Sequence, residues 1–518
     1  MKTDVQSVEE LREIIIKQDT RITELEALVK FFEEQFRLTK HRQFGASSEK
    51  SEYDQLGMFN EVEATSDEGV SEPELTEVDK HFRRRTRLVT DKLPDDLPVE
   101  EVIHDLPETE RDCPECGNDM HIMGRNMARR ELKIIPAKVS IVEHVQMVYA
   151  CRVCEKDEAG VPVLKAELCD PVIKGSFAAP ETIAHIMTQK FVMSVPLYRQ
   201  EQDWNRNGIM ISRQTMSNWL LKATEDWLEP IYDHLKEQLC QSDVLHADET
   251  TLQVLREPGK PAQSKSYMWL YRSGGDASHP IVLFEYQPDR KAIRPAEFLK
   301  NYCGYLHADG YDGYHKLKDD IVVVGCWAHA RRKFDEALKS LPVKSRGGSS
   351  ASIGKRYCDK LFKLEESFTE LAPEDRHKHR LKYSKPVMDE LYAWAEALDT
   401  VPKLGIGKAV HYLLSQRKYL ERYLLDGRLE VSNNRAENSM RPFVIGRKNF
   451  LFANTPRGAK ASAIMYSLIE TAKENGLNPF KYLTYIFKYA PQMDIKNDID
   501  GLKVLLPESV PKSIRARG

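Results

Sequence analysis

The chain is 518 residues long, 41% hydrophobic and 30% charged, with nine cysteines and a formal net charge of −4. That length allows several domains, the composition is that of an ordinary soluble protein, and apolar runs far below spanning length argue against a membrane segment. Met1 to Ser7 lacks the apolar core of a signal peptide and four cysteines stand in pairs, so a cytoplasmic, reducing setting is expected rather than a disulfide framework.

Residues 1–45 are expected to form a coiled-coil helix. Val8, Leu11, Ile15, Gln18, Ile22, Leu25, Val29, Phe32 and Phe36 keep an alternating 3,4 spacing without Pro or Gly between them, which predicts self-association, with Gln18 fixing the register. The alternative is one amphipathic helix packed on its own chain. Residues 46–100 read as a linker, in which Glu61 to Asp79 holds eight acids and no base and is followed by the basic run His81 to Arg87. Charge segregated in this way leaves a nucleic-acid partner open despite the near-neutral total.

In residues 101–170, Cys113 and Cys116 form one C-x2-C pair and Cys151 and Cys154 another, 34 residues apart. Two such pairs supply the four thiolates of a closed structural Zn²⁺ site, so a zinc-binding module is expected, against the alternative of four reduced core cysteines. Residues 171–235 suggest a helix-turn-helix. Two helices fall within Pro180 to Asn207, Gly208 makes the turn, Ser212 caps the next helix, and Ile211, Met216, Trp219 and Leu220 point inward. Arg213, Gln214, Ser217 and Asn218 are left outward for DNA, unless the three helices merely pack together.

Residues 236–340 carry five strand-like runs, Val244 to Leu255, Ser266 to Tyr271, Ile281 to Tyr286, Gly304 to Ala308 and Ile321 to Gly325, with a helix near Arg294 to Tyr302. The tetrapeptide Leu-His-Ala-Asp occurs twice, ending at Asp248 and at Asp309. Alternation puts Asp248 near the middle of the first strand with Glu249 on the opposite face, and puts Asp309 where a strand gives way to a turn. His329, Arg331, Arg332 and Lys333 then open a basic helix that could hold DNA. Residues 341–430 read as a Gly- and Ser-rich linker, Leu341 to Lys355, followed by a mostly helical insertion.

In residues 431–490 a short helix is predicted from the cap Ser432, stopped or kinked by Pro442, with Asn433, Asn434, Glu437 and Arg441 on one face. Arg441, Arg447, Lys448, Arg457 and Lys460 follow with no acid among them, so Glu437 is either a salt-bridged structural group or a metal ligand beside a bound polyanion. Ala461 to Tyr489 is predicted helical, and residues 491–518 form the tail. Carboxylates on a strand, a strand end and a later helix are the hard oxygen donors that a two-metal phosphoryl-transfer site needs. No complete P-loop, dinucleotide, H-E-x-x-H or G-x-S-x-G motif competes with that chemistry.

The runs His246 to Thr250, His307 to Tyr311, Gly325 to Phe334, Asn433 to Glu437, Arg441 to Asn449 and Glu470 to Pro479 resemble the transposases of the insertion-sequence-66 family. The resemblance extends from about residue 40 to 490. It implies a multidomain α/β protein whose ribonuclease H-like catalytic core is interrupted by the helical insertion, with the Asp-Asp-Glu triad falling on Asp248, Asp309 and Glu437. Two Mg²⁺ or Mn²⁺ ions would be the cofactors. Partners would be the double-stranded DNA of the element ends and target, further copies of the chain and, as in many members, small companion proteins. Asn434 joins Arg213, Gln214, Asn218, His329, Arg331, Arg332, Arg441, Arg447 and Lys448 as a candidate DNA contact. The implied activity is cleavage of element ends and joining of their 3′ hydroxyls to target DNA, on the nucleoid. The chain departs from the family at Asn438, where many members carry Arg, and in a tail without the usual tryptophan. A catalytically silent DNA-binding regulator and a nuclease that cuts without joining are the alternatives.

Overall fold

The computed structural model describes residues 8–44, 139–150, 163–165 and 168–516, which fall into two compact units, 48–168 and the combination of 1–47 with 169–518. In the smaller unit, β1 (Val148–Ala150) pairs antiparallel with β2 (Val163–Lys165). Cys113, Cys116, Cys151 and Cys154, on which the zinc expectation rests, lie outside the described residues.

The larger unit begins with α1 (Val8–Phe44). Along it Ile15, Ile22, Leu25, Val29, Phe32 and Phe36, all members of the predicted stripe, are solvent-exposed. Four helices follow the second unit: α2 (Pro180–Phe191), α3 (Leu197–Arg206), α4 (Arg213–Ala223) and α5 (Glu229–Leu239). Gly208 turns the chain at φ +76°, a left-handed conformation that costs glycine little, and the Ser212 hydroxyl accepts from Thr215 N to cap α4. Ile211, Met216, Trp219 and Leu220 are buried as the pattern predicts.

The five predicted strands are β3 (Val244–Gln253), β4 (Lys265–Ser273), β5 (Val282–Gln287), β6 (Gly304–His307) and β7 (Ile321–Val324), in one sheet ordered β5-β4-β3-β6-β7. β3, β4 and β5 form an antiparallel meander. β6 and β7 run parallel to β3, and the crossover from β5 to β6 passes through the short α6 (Ile293–Phe298). After β7 come α7 (Trp327–Ser340), α8 (Ser350–Ser367), α9 (Pro373–His379), α10 (Lys385–Glu396), α11 (Gly405–Ser415) and α12 (Arg417–Leu420), then α13 (Asn434–Phe450), α14 (Pro456–Glu474), α15 (Pro479–Tyr489) and α16 (Ile499–Lys503). The sheet, α2 to α5 and α13 to α15 share one hydrophobic core, whereas α7, α8 and α10 to α12 build a second around Trp327, Phe334, Leu391, Tyr392 and Leu413. Arg380, fully buried in that second core, donates to Glu365 and to the carbonyls of Tyr423, Asp426 and Leu429, so its charge is paired and every edge of its guanidinium is used.

Four expectations need correction. Pro442 does not stop the helix, because α13 runs through it to Phe450; burial of Ala436, Met440 and Phe443 against the sheet outweighs the one backbone hydrogen bond that proline forgoes. The helix starts one residue later than Ser432 predicts, with Asn433 at the cap position. The Gly- and Ser-rich stretch 341–355 is only partly a linker. Ser349 caps α8, and Gly354 lies inside it, where an added Cβ would stand 2.4 Å from the Phe334 ring. Its small residue serves close helix packing. Residues 461–489 form two helices, since Gly476 at φ +68° ends α14 and Asn478 caps α15.

β5 is an edge strand, and its outward N–H groups would otherwise have no partner. Val282 N donates to Thr471 Oγ1 at 3.0 Å and Phe284 N to Ser467 Oγ at 2.7 Å. These two hydroxyls stand at i, i+4 on α14, so one helix face closes the sheet edge against pairing with another chain. Replacing Ser467 with Ala or Thr471 with Val would leave a buried N–H unpaired, at a cost of roughly 1–3 kcal/mol each. Both variants are expected to melt below the wild type, the double variant lowest, in a thermal unfolding series.

Candidate active site

The repeated tetrapeptides lie side by side. In the parallel pairing of β3 with β6, Leu245 faces Leu306 and His246 faces His307. Asp248 and Asp309 each follow their histidine by two residues, so the repeat delivers two carboxylates to the same end of neighbouring strands. The imidazoles beneath them stack at 4.5 Å between ring centroids. Burial pulls the His246 ring down to about 3 and His307 well below its ordinary value, so both are neutral. His307 Nε2 accepts from Glu430 N at 3.1 Å.

Asn433 fixes the third carboxylate relative to this pair. Its side chain, 1% exposed, donates from Nδ2 to Ala247 O at 2.8 Å and accepts at Oδ1 from His246 Nδ1 at 3.0 Å. Its carbonyl accepts from Glu437 N at 3.2 Å, in the first turn of α13. The far end of α13 is tied down too, because Ala453 N donates to Gln253 O and Leu255 N donates to Ala453 O. The helix is therefore clamped along β3 at both ends, and Glu437 is held near Asp248.

The electrostatics report that nearness. Burial, with the carboxylates of Glu249, Glu437 and Asp309, holds Asp248 well above the usual carboxylate range. Asp309 Oδ1 accepts from Tyr311 N at 2.9 Å, an Asx turn that orients the side chain. Glu249, on the other face of β3, pairs with Arg290 and accepts from Tyr314 Oη at 2.6 Å; Arg290 Nη2 also stands 3.9 Å from Asp309 Oδ2. Burial and Asp309 raise Glu249 as well. Glu437 Oε2 faces Arg332 Nη2 at 3.3 Å, while its Oε1 has no hydrogen-bond partner and stands 3.9 Å from His329 Nδ1. A crowd of carboxylates with one orphaned oxygen is the donor set that divalent cations need.

The basic residues divide into groups. Asn434, Arg441 and Lys448 are exposed on the face of α13 that carries Glu437. Arg447 instead lies against β3, donating to Thr250 and to Thr251 O, and its burial lowers its pKa. Arg331 is paired with Asp359 at 2.6 Å. Arg457 and Lys460 have acids after all, Glu225 and Glu229, from the segment leading into α5. On α4, Arg213, Gln214 and Asn218 are exposed, with Gln214 Nε2 donating to Asn218 Oδ1 at 3.0 Å. Asn433, His246, His307 and Arg290 were not singled out as site residues by the sequence reading. The first three sit inside the quoted motifs, a usable signal, whereas nothing local marks Arg290.

Comparison with known proteins supplies the class. The family described as "Transposase IS66 family" matches residues 175–461, more than half of the chain. "Zinc-finger binding domain of transposase IS66" matches 110–155, "Transposase C of IS166 homeodomain" 32–102 and "IS66 C-terminal element" 467–507. Three Sinorhizobium fredii (strain NBRC 101917 / NGR234) proteins, each named only as uncharacterized, are similar over much of their length. They are y4qI, 30% identical over 78% of this chain and 74% of its own, y4jD, 30% over 80% and 81%, and y4hP, 29% over 77% and 73%. The chain belongs to the IS66 family of transposases. Among the described residues, no helix is long and apolar enough to cross a membrane.

The crowding at Asp248 has a measurable cost. A folded-state pKa raised above the unfolded value of about 3.9 stabilises the protein at low pH, and that contribution is lost as pH rises through the raised value. In EDTA at neutral pH, Asp248→Asn is therefore expected to melt higher than the wild type, with the difference vanishing on acidification. Mg²⁺ or Mn²⁺ should raise the wild-type midpoint more than the variant's. Melting curves across pH, with and without the ion, check both.

Proposed function

We propose that the protein is a DNA transposase that binds the ends of its insertion sequence, cleaves them by metal-dependent hydrolysis and joins the 3′ ends to target DNA. The observation that supports this best is the cluster of Asp248, Asp309 and Glu437, three carboxylates from two adjacent parallel strands and one clamped helix, with Asp248 held well above its ordinary pKa by burial and by neighbouring carboxylates that include the other two. A meander followed by two strands parallel to its first member, with the acids at β3, the end of β6 and a helix after an insertion, supports the ribonuclease H-like reading of the core.

Asp248, Asp309 and Glu437 would hold two Mg²⁺ or Mn²⁺ ions. Such ions polarise a phosphate and make water a nucleophile near neutral pH. The chain's own residues would do the rest. Asn433 keeps Glu437 in place against β3, and Arg332 balances the glutamate's outer oxygen. Asn434, Arg441 and Lys448 offer a polar and basic strip for the DNA backbone beside the acids, and Arg213, Gln214 and Asn218 offer a second contact on α4. The exposed stripe of α1 would pair with a second copy, bringing two DNA ends together. Four thiolates in the smaller unit would hold structural zinc, consistent with the matched zinc-finger domain.

The test uses supercoiled plasmid carrying the DNA that flanks the gene, incubated with wild type, Asp248→Asn or Glu437→Gln, with Mg²⁺ or EDTA. Metal-dependent cuts mapped to repeated ends, and strand joining, are expected for the wild type. Each variant should lose at least about a thousandfold in rate, the equivalent of the several kcal/mol a metal clamp supplies, while still retarding end DNA in a gel. End binding without any cutting, even with companion proteins added, would sink the enzymatic reading in favour of a regulator. Cutting without joining would leave a nuclease.

A further inference from the structure

Cys326, His329 and Glu437 place one ligand atom each within 4.8 Å of one another. Cys326 is the residue before α7 and His329 lies in its first turn, so a C-x-x-H spacing at a helix start aims both at Glu437 across from α13. The cluster is anchored, since Asn433 N donates to Cys326 Sγ at 3.1 Å. A structural ion pair alone does not account for it. Arg332 takes the other glutamate oxygen, whereas His329 Nδ1 and Glu437 Oε1, 3.9 Å apart, are both buried atoms without a hydrogen-bond partner. Tetrahedral zinc with bonds of about 2.0–2.3 Å separates its donors by roughly 3.3–3.8 Å. The three donors need to close by no more than about 1 Å to take that spacing.

We propose that Cys326, His329 and Glu437 form a binding site for a zinc-class divalent ion, sharing Glu437 with the three-carboxylate cluster. The donor set of sulfur, imidazole nitrogen and one carboxylate selects zinc over magnesium, which prefers oxygen alone. On binding, the Cys326 thiol releases its proton to solvent. The imidazole proton moves from Nδ1 to Nε2, so Arg332 Nη1, now 3.4 Å from Nε2, no longer donates there. No electron changes hands. Zinc held here withdraws Glu437 from Asp248 and Asp309, so it competes with the Mg²⁺-dependent reaction; this second consequence rests on the proposed catalytic role of Glu437, whereas binding does not.

The experiment counts zinc per chain in full-length protein dialysed at limiting free Zn²⁺, for wild type, Asp248→Asn, His329→Ala and Cys326→Ser. Zinc in the four-cysteine module is common to all and cancels in the comparison. Wild type and Asp248→Asn are expected to hold one equivalent more than His329→Ala and Cys326→Ser, and Co²⁺ substitution should show a thiolate charge-transfer band that Cys326→Ser diminishes. His329 is partly exposed and Cys326→Ser is nearly isosteric, and melting curves confirm that both variants are folded. Equal zinc in all four proteins overturns the site, as does retention of the extra equivalent by either single variant. Wild-type nicking inhibited by Zn²⁺, with inhibition relieved in Cys326→Ser, supports the competition. A wild type that binds the extra zinc but never nicks DNA keeps the site and removes the catalytic reading instead.

Discussion

Everything around the sheet centre depends on holding like charges together. Asp248 is held well above its ordinary pKa by burial, and the repulsion of Glu249, Glu437 and Asp309 close by adds to that desolvation. A fold that tolerates this must fix the backbone on both sides of the cluster without help from the acids themselves. Asn433 does so with one buried amide, joining Ala247, His246 and the first turn of α13. Because Asn433 Oδ1 can only accept, the tautomer of His246 is set by the same contact, while burial keeps the ring neutral. The backbone around the acids is thus fixed by neutral hydrogen bonds, which leaves carboxylate oxygens such as Glu437 Oε1 available for a cation.

The long insertion belongs to the same arrangement. α7 starts where β7 ends, and Trp327 is held there by Val431 O at its backbone and by Leu420 O at its indole. Arg380 ties the returning chain, through Tyr423, Asp426 and Leu429, before it reaches Glu430 and Asn433. The second core therefore sets where α13 begins. α1 joins it as well: Glu34, 3% exposed, accepts from Gly405 N at the start of α11, and Arg37 donates to Ser340 O at the end of α7. The helix expected to associate with another copy is seated on the insertion that positions Glu437.

Several local features were legible because they follow from short-range chemistry. Strand-like apolar runs located all five strands to within about two residues, and Gly208 and Ser212 announced the turn and cap before α4. The Leu-His-Ala-Asp repeat was visible, though its meaning as a side-by-side pair on β3 and β6 depends on the parallel crossover. Where local rules failed, packing had outvoted them, as at Pro442 inside α13 and at Gly354 against Phe334.

Sequence alone determined the residue types of the candidate site, the strands and helices that bear them and, through the resemblance of its motifs, the family. Periodicity, caps and motif spacing are local and survive without coordinates. Only the tertiary structure decided which distant groups meet: Glu437 with Asp248 and with the Cys326 and His329 pair, Arg290 with Glu249 and Asp309, and Ser467 and Thr471 with the edge of β5. Those contacts join residues far apart in the chain, and no local pattern encodes the sheet order and helix placement that bring them within hydrogen-bonding or Coulombic reach.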